Sequence, residues 1–194
     1  MATARSSSLL RLLRGSAVAA LAALLLLGPA PSGATVLLTA SLDDLARVSS
    51  AVVRGQVLEV TPVRIGGRIE TRVTMAVDRV YRGTADETVE LVVEGGRLGN
   101  LVSRVAGAAA FSVGDQVVVF CERRSDGQLT PTGMSLGVFR LVTGTDGVER
   151  AVRQLDGLSF VSLDDAGRVV PAHSNPQPEL SGPAFESWLE GLSP

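Results

Sequence analysis

The chain has few of the side chains on which catalytic and metal sites usually depend. Its 194 residues include one cysteine, Cys121, and one histidine, His173. A single cysteine excludes an intramolecular disulfide, and zinc sites generally take several His, Cys or carboxylate ligands. Cys121 ends an apolar run, where a small buried residue is expected, whereas His173 lies in a proline-rich segment. We therefore predict no catalytic residue, no metal site and no cofactor, and we do not expect an enzyme.

Aromatic residues and lysine are also scarce. Aromatics make up 4% of the sequence, and all 18 basic residues are arginines. Small β-barrels that bind single-stranded nucleic acid combine a basic groove with stacking aromatics. Without residues 1–34, which carry three arginines and no acids, the charge is 15 minus 20, or −5. This acidic, aromatic-poor composition predicts no nucleic-acid partner.

The N-terminus has the pattern of a cleavable signal peptide. Arginines precede an apolar run at residues 17–27, which is too short to cross a bilayer core of about 30 Å as a helix. Ser32 and Ala34 place small side chains before a cut at Thr35, and cleavage after Ala30 is the alternative. No second apolar run is long enough to span. We predict a secreted or periplasmic protein with no stable membrane insertion after signal cleavage.

The rest of the chain is predicted to be mainly β. Side chains alternate between apolar and polar from Thr71 to Asp78, as a sheet with one wet face requires, and the alternation slips by one residue at Asp78-Arg79, where a β-bulge is expected. Glycine-centred turns separate the stretches and favour antiparallel neighbours. The predicted strands are Val52–Val60, Arg68–Tyr81, Thr88–Glu94, Gln116–Glu122, Ser135–Thr143 and Val148–Arg153.

Two helices are expected to flank these strands. Ser41 is a candidate N-cap with Asp44 at N3, and it opens a short helix whose apolar face carries residues 42, 45 and 48. A second helix follows Ser181-Gly182-Pro183, with an amphipathic stripe that either packs on the strands or binds a partner. The predicted organisation is a signal peptide at 1–34, a β-barrel domain at 35–163, a Pro-rich linker at 164–180 and a C-terminal helix at 181–194.

The connection from Gly95 to Asp115 is the longest one predicted between strands. It has about 20 residues, five of them glycines. This length is greater than a barrel needs for closure, and long loops of this kind are usually functional. We therefore assign a candidate interaction surface to this loop and to the C-terminal helix. Its residues are Gly95, Gly96, Arg97, Leu98, Asn100 and Arg104 from the loop, and Phe185, Trp188 and Leu189 from the helix.

The order of elements resembles the OB-fold type of small barrel, including the netrin-like modules of secreted proteins. Four motifs are similar to those of a group of uncharacterised exported bacterial β-barrel proteins: Val52-Val53-Arg54-Gly55-Gln56-Val57, Tyr81-Arg82-Gly83, Gly95-Gly96 and Phe111-Ser112-Val113-Gly114-Asp115-Gln116-Val117. The resemblance implies a closed or partly open antiparallel barrel. Tissue inhibitors of metalloproteinases share that barrel and block a zinc ion with an N-terminal cysteine, which a chain beginning at Thr35 lacks.

These observations together predict an exported, non-enzymatic binding or protein-interaction module with a protein partner. The alternative that the netrin-like resemblance implies is an inhibitor or accessory subunit of an exported hydrolase such as a metalloprotease.

Overall fold

The computed structural model describes residues 35–172, 174 and 176–192. The predicted signal peptide, His173 and the last two residues of the predicted C-terminal helix lie outside the described residues. Strands account for 51% of the described residues and helical segments for 13%, which confirms the prediction of a mainly β protein. The predicted linker and C-terminal helix belong to the same compact unit as the strands.

The elements follow one another as short and long strands with two α-helices. In chain order they are β1 (Thr35–Leu38), α1 (Leu42–Val48), β2 (Ala51–Ile65), β3 (Arg68–Arg82), β4 (Thr88–Glu94), β5 (Gly96–Leu98), β6 (Leu101–Ser103), β7 (Gln116–Arg123), β8 (Leu129–Pro131), a 3-10 turn (Met134–Gly137), β9 (Val138–Thr143), β10 (Glu149–Val152), β11 (Leu158–Leu163), β12 (Val169–Pro171), β13 (Glu179–Ser181) and α2 (Gly182–Glu190).

Eight of the strands form the main sheet, in the order β13-β10-β9-β7-β2-β3-β4-β8. The predicted antiparallel succession of β2, β3 and β4 is present. Short strand β8 has two partners, because it runs parallel to β4 at Leu91 and Leu129 and antiparallel to β7 from Cys121 to Arg123. The strand pairs β7–β2, β2–β3, β3–β4, β4–β8 and β8–β7 therefore follow one another and return to β7.

The β2–β3 hairpin is the longest ladder of the sheet. Its turn, Gly66-Gly67, has positive φ at both residues, as the tight turns that match strand twist require. Arg54 pairs with Arg79 and Gly55 with Val77, so the register shift falls at Asp78, where the sequence alternation slips. Gly55 lets the strands approach closely at this shift, because a Cβ there would lie 1.9 Å from the carbonyl oxygen of Ala76.

Two apolar cores lie on the two faces of the main sheet. In β2, Val53 belongs to one core and Val52 to the other, since successive side chains of a strand point to opposite faces. The same alternation in β7 explains its unbroken apolar run, because both of its faces are covered. The first core includes Val57, Val73, Met75, Leu91, Val117, Val119 and Cys121, and the second includes Leu45, Val118, Phe120, Phe139, Phe185 and Leu189.

Both helices occur where they were predicted. In α1, the Ser41 side chain accepts from the Asp44 amide and the Asp44 side chain accepts from the Ser41 amide, which is a complete capping box. Leu45 is buried, but Val48, which was expected on the same face, is 59% exposed. The buried face of α1 therefore consists of Leu45 and Ala46 and does not include Val48.

Several segments interpreted as loop are strands in the structure. The predicted linker at 164–180 contains β12, which pairs with β11, and the start of β13, which pairs with β10. The predicted long loop contains the β5–β6 hairpin. Strand β1 pairs in parallel with β11. These strands have three to six residues, too few to show a periodicity. Pairing with a partner strand decides their conformation, in the main sheet for β13, in a three-stranded sheet for β1, β11 and β12, and in a two-stranded sheet for β5 and β6.

Candidate functional site

The glycine-rich connection after β4 begins with a turn that only glycine fits easily. Gly95 has φ of 85° and Gly96 has φ of 136°, in the region that L side chains rarely adopt. A Cβ at Gly96 would lie 2.4 Å from Thr71 Oγ1, and that hydroxyl donates to the Gly95 carbonyl at 2.8 Å. The chain therefore turns sharply out of the main sheet and enters β5, which pairs with β6 across Gly99-Asn100.

A groove of about 630 Å³ lies beside this hairpin. The main sheet contributes Val60, Pro62 and Val93, the hairpin contributes residues on both of its strands, and the irregular segment Val105–Phe111 contributes mostly alanines. We call this cavity the loop groove. Its volume lies within the range of about 300–1,000 Å³ that is usual for ligand pockets, and its surface is mainly apolar.

The charges at the loop groove are unbalanced. Arg97 and Arg104 line it, and both are exposed. Neither guanidinium forms an ion pair or hydrogen bond within the described part of the chain. Glu94 is the acidic lining residue, so two cations and one anion surround an apolar interior. This combination suits a ligand that is mostly apolar and carries negative charge.

The structure brings together only part of the candidate interaction surface. Gly95, Gly96, Arg97 and Arg104 line the loop groove, whereas Leu98 and Asn100 do not. Leu98 is half-buried near the hairpin turn, and Asn100 is exposed at that turn.

The three helix residues of the candidate surface do not line the loop groove. Phe185 is 3% exposed and Leu189 is fully buried in the second core, so both side chains pack inside this fold instead of presenting a surface. The Phe185 ring lies 4.5 Å from the Phe139 ring, centroid to centroid, and stacks with the half-buried Trp188 at 6.3 Å. The apolar stripe of α2 is used inside the fold because β7 and β9 present aromatic side chains to it.

A cluster of charged and polar residues also holds α2 on the sheet. The Tyr81 hydroxyl lies 2.7 and 2.8 Å from the two carboxylate oxygens of Glu186, and Arg79 pairs with Glu186 at 2.9 Å and Glu190 at 3.0 Å. Burial, together with the adjacent Glu186 carboxylate, raises the pKa of Tyr81 to about 12. The hydroxyl stays protonated at neutral pH, so this cluster attaches the helix and supplies no nucleophile.

Cys121 is part of the first core. It is 1% exposed, and burial raises the pKa of its thiol to about 12. Since the thiolate is the reactive form, Cys121 is inert in the folded protein and unavailable to a second chain. Across residues 35–172 and 176–192, no group of three or more His, Cys, Asp or Glu side chains is arranged to hold a metal ion. None of the described helices is long and apolar enough to cross a membrane.

Sequence reasoning missed the segment from Val105 to Phe111 as part of the groove. Its signal was the run Ala106-Gly107-Ala108-Ala109-Ala110, whose small side chains leave space beside the hairpin. No family model matches this chain, and neither a curated protein nor a solved structure is found to be similar to it.

Proposed function

We propose that this protein is an exported, non-enzymatic binding module that holds an extended segment of a protein partner in the loop groove. The observation that carries the proposal is the combination of an apolar groove of about 630 Å³ with a two-stranded hairpin at its side. Export is supported by the signal-peptide pattern of residues 1–34.

The hairpin favours an extended peptide over a compact ligand. β5 and β6 pair only with each other among the described strands, so their outer edges carry backbone N–H and C=O groups that can pair with an added strand. Leu101 and Val102 of β6 are 51% and 46% exposed. A partner strand beside this edge would cover these two side chains, which precede Ser103 and Arg104 of the groove lining.

The charges define the partner further. Arg97 and Arg104 favour acidic side chains next to the apolar ones, because exposed cations steer and orient ligands of opposite charge. The ionisable residues that line the groove are Glu94, Arg97 and Arg104. No base is paired there with a nucleophile, as covalent catalysis requires. These residues suit recognition, and we propose an apolar segment flanked by acidic residues as the ligand.

The scaffold that we propose for this module is a small OB-like barrel closed by β8. The support is the double pairing of β8 with β4 and β7, since closure removes exposed sheet edges. Amide hydrogen exchange tests it: the β8 amides are expected to exchange as slowly as those of β7. Exchange of β8 within the dead time would argue for an open sheet.

The binding proposal is tested by affinity capture with a groove variant. The bait is the protein purified from cells that express the full chain, and the sample is the exported fraction of its own host. Ala106→Glu places a carboxylate in the groove at an exposed position, so the fold is expected to persist. Ala166→Glu makes the same change at an exposed turn outside the groove and is the matched control.

We expect one stoichiometric partner with the parent protein and with Ala166→Glu, and its loss with Ala106→Glu. Equal retention by both variants, or no retained partner, would contradict the proposal. If the partner is a hydrolase, its activity is measured with the parent and with Ala106→Glu. Inhibition by the parent alone would establish the alternative of an exported hydrolase inhibitor acting through the same groove.

A further inference from the structure

Arg153, directly after β10, is a buried cation with one unused donor. The residue is 6% exposed, and no described carboxylate lies within ion-pair distance of it. Its Nε and Nη2 donate to the Gln177 carbonyl at 3.0 and 2.6 Å, and its guanidinium lies 4.8 Å from the centroid of the Phe139 ring. Nη1 has no hydrogen-bond partner.

Two further unpaired atoms belong to residues that line one cavity together with Arg153. Ser135 is 3% exposed and its Oγ has no partner, and the Nε of Arg140 is also unpaired. Arg153, Ser135 and Arg140 all line one cleft of about 200 Å³. Within the described residues, five buried side-chain polar atoms lack a partner, and three of them belong to residues that line this cleft. Buried polar groups are normally hydrogen-bonded, so their concentration here indicates a place where a ligand could accept hydrogen bonds.

The charge of the cleft favours an anion. Arg140 is compensated by Asp115 at 3.0 Å, but Arg153 is not compensated. Burial lowers the pKa of Arg153 to about 10, which still leaves the guanidinium charged at neutral pH. The acidic lining residue, Asp156, is exposed and makes no ion pair with described residues. A buried cation without a counter-ion is unfavourable, and an anion would supply the missing acceptors.

We propose that this cleft binds a small oxyanion, with Arg153 Nη1, Arg140 Nε and Ser135 Oγ as its donors. The cleft is smaller than the about 300–1,000 Å³ usual for drug-sized ligands, which suits a carboxylate, phosphate or sulfate group. The site goes beyond the proposed function because its charged lining residues, Arg140, Arg153 and Asp156, do not line the loop groove. The two cavities share Ala109 and Ala110, so an anion in the cleft would hold one side of the groove in place.

Calorimetric titration tests the proposal on protein purified from cells that express the full chain. Phosphate and sulfate represent tetrahedral anions, acetate and succinate represent carboxylates, and sodium chloride holds the ionic strength constant. Ser135→Ala removes one proposed donor, and its folding is not expected to suffer because the hydroxyl bonds to nothing in the free protein. Ser125→Ala, at an exposed turn outside the cleft, is the matched control.

We expect saturable binding of at least one anion class, and the class that binds identifies the ligand chemistry. Ser135→Ala should weaken the binding about tenfold, as loss of a hydrogen bond to a charged group implies, while Ser125→Ala should bind as the parent does. Asp156→Asn should tighten the binding about threefold, since it removes a solvent-exposed like charge.

Two results would overturn the inference: no saturable binding of any of the four anions, or equal affinities of Ser135→Ala and Ser125→Ala. Ala106→Glu should still bind the anion as the parent does, so failure of the loop groove and failure of this cleft are distinguishable.

Discussion

Replacement of Leu189 by alanine tests whether α2 is an integral part of the core. Leu189 is fully buried in the second core, and Phe185, one turn earlier, contacts the Phe139 ring. Truncation removes buried methyl groups and leaves a cavity, which costs about 2–5 kcal/mol of the free energy of unfolding. For a domain of this size each kcal/mol lowers the Tm by about 2–4 °C, so a loss near 3 kcal/mol corresponds to about 6–12 °C.

The assay is urea unfolding at equilibrium, followed by two signals. Fluorescence reports on α2, because Trp188 is the only tryptophan of the chain and lies on that helix. Circular dichroism reports on the strands. The two transitions are expected to coincide, since one cooperative unit contains both elements, and Leu189→Ala should lower the midpoint without a change in slope.

The control is Leu163→Ala, which makes the same truncation at a side chain that is 54% exposed. It should change stability by no more than about 0.5 kcal/mol. The reasoning would be refuted if both variants unfolded at the same urea concentration, or if the fluorescence transition of the parent preceded the circular dichroism transition. Either result would mean that α2 is not held by the core and is free to serve as a contact surface.

Three further predictions concern single residues. Cys121 should resist alkylation by iodoacetamide at pH 8 in the folded protein and react rapidly in urea, because its pKa is about 12 when buried; equal rates would contradict its burial. Tyr81 is the only tyrosine, so absorbance at 295 nm should show ionisation near pH 12 in place of 10. The phenol has the lower pKa in the unfolded chain, so the free energy of unfolding should fall as pH rises from 10 to 12. Tyr81→Phe should remove this part of the fall. Ionisation of the folded protein at pH 10 would refute the burial of the hydroxyl against Glu186. Gly55→Ala should lower stability by at least about 2 kcal/mol in urea unfolding, because its Cβ would meet the Ala76 carbonyl, and an unchanged midpoint would show that the β2–β3 ladder is wider than described.

Much of the main sheet was predictable because its signals are local. The alternation over residues 71–78 and the Gly66-Gly67 turn were enough to predict β3 and its hairpin partner, and the slip at Asp78 coincides with the register shift. The Ser41 cap is likewise a contact between residues three apart. Such features depend on neighbouring residues, which is the range over which a sequence pattern carries structural information.

The candidate sites were less predictable. The length of the glycine-rich connection predicts a binding segment, but only folding places Val60, Pro62 and Val93 beside it to make a groove. The cleft of about 200 Å³ in which we propose an oxyanion gives no sequence signal. Its lining comes from separate elements: Ser135 from the 3-10 turn, Arg140 from β9, and Arg153 from the residue after β10. The unpaired atoms of these three residues have no partner only because folding buries them away from water.

Local sequence patterns are sufficient to define a mainly β chain with a capped N-terminal helix, glycine-centred hairpins and a buried cysteine. Each of these follows from local periodicity, turn chemistry or an apolar neighbourhood. The packing of the C-terminal helix depends on the whole fold, since its apolar stripe suits a partner and a core equally well. Phe120 of β7 and Phe139 of β9 lie on the face of the sheet that forms the second core. Burial of their apolar surface against Phe185 and Leu189 stabilises the helix on the sheet.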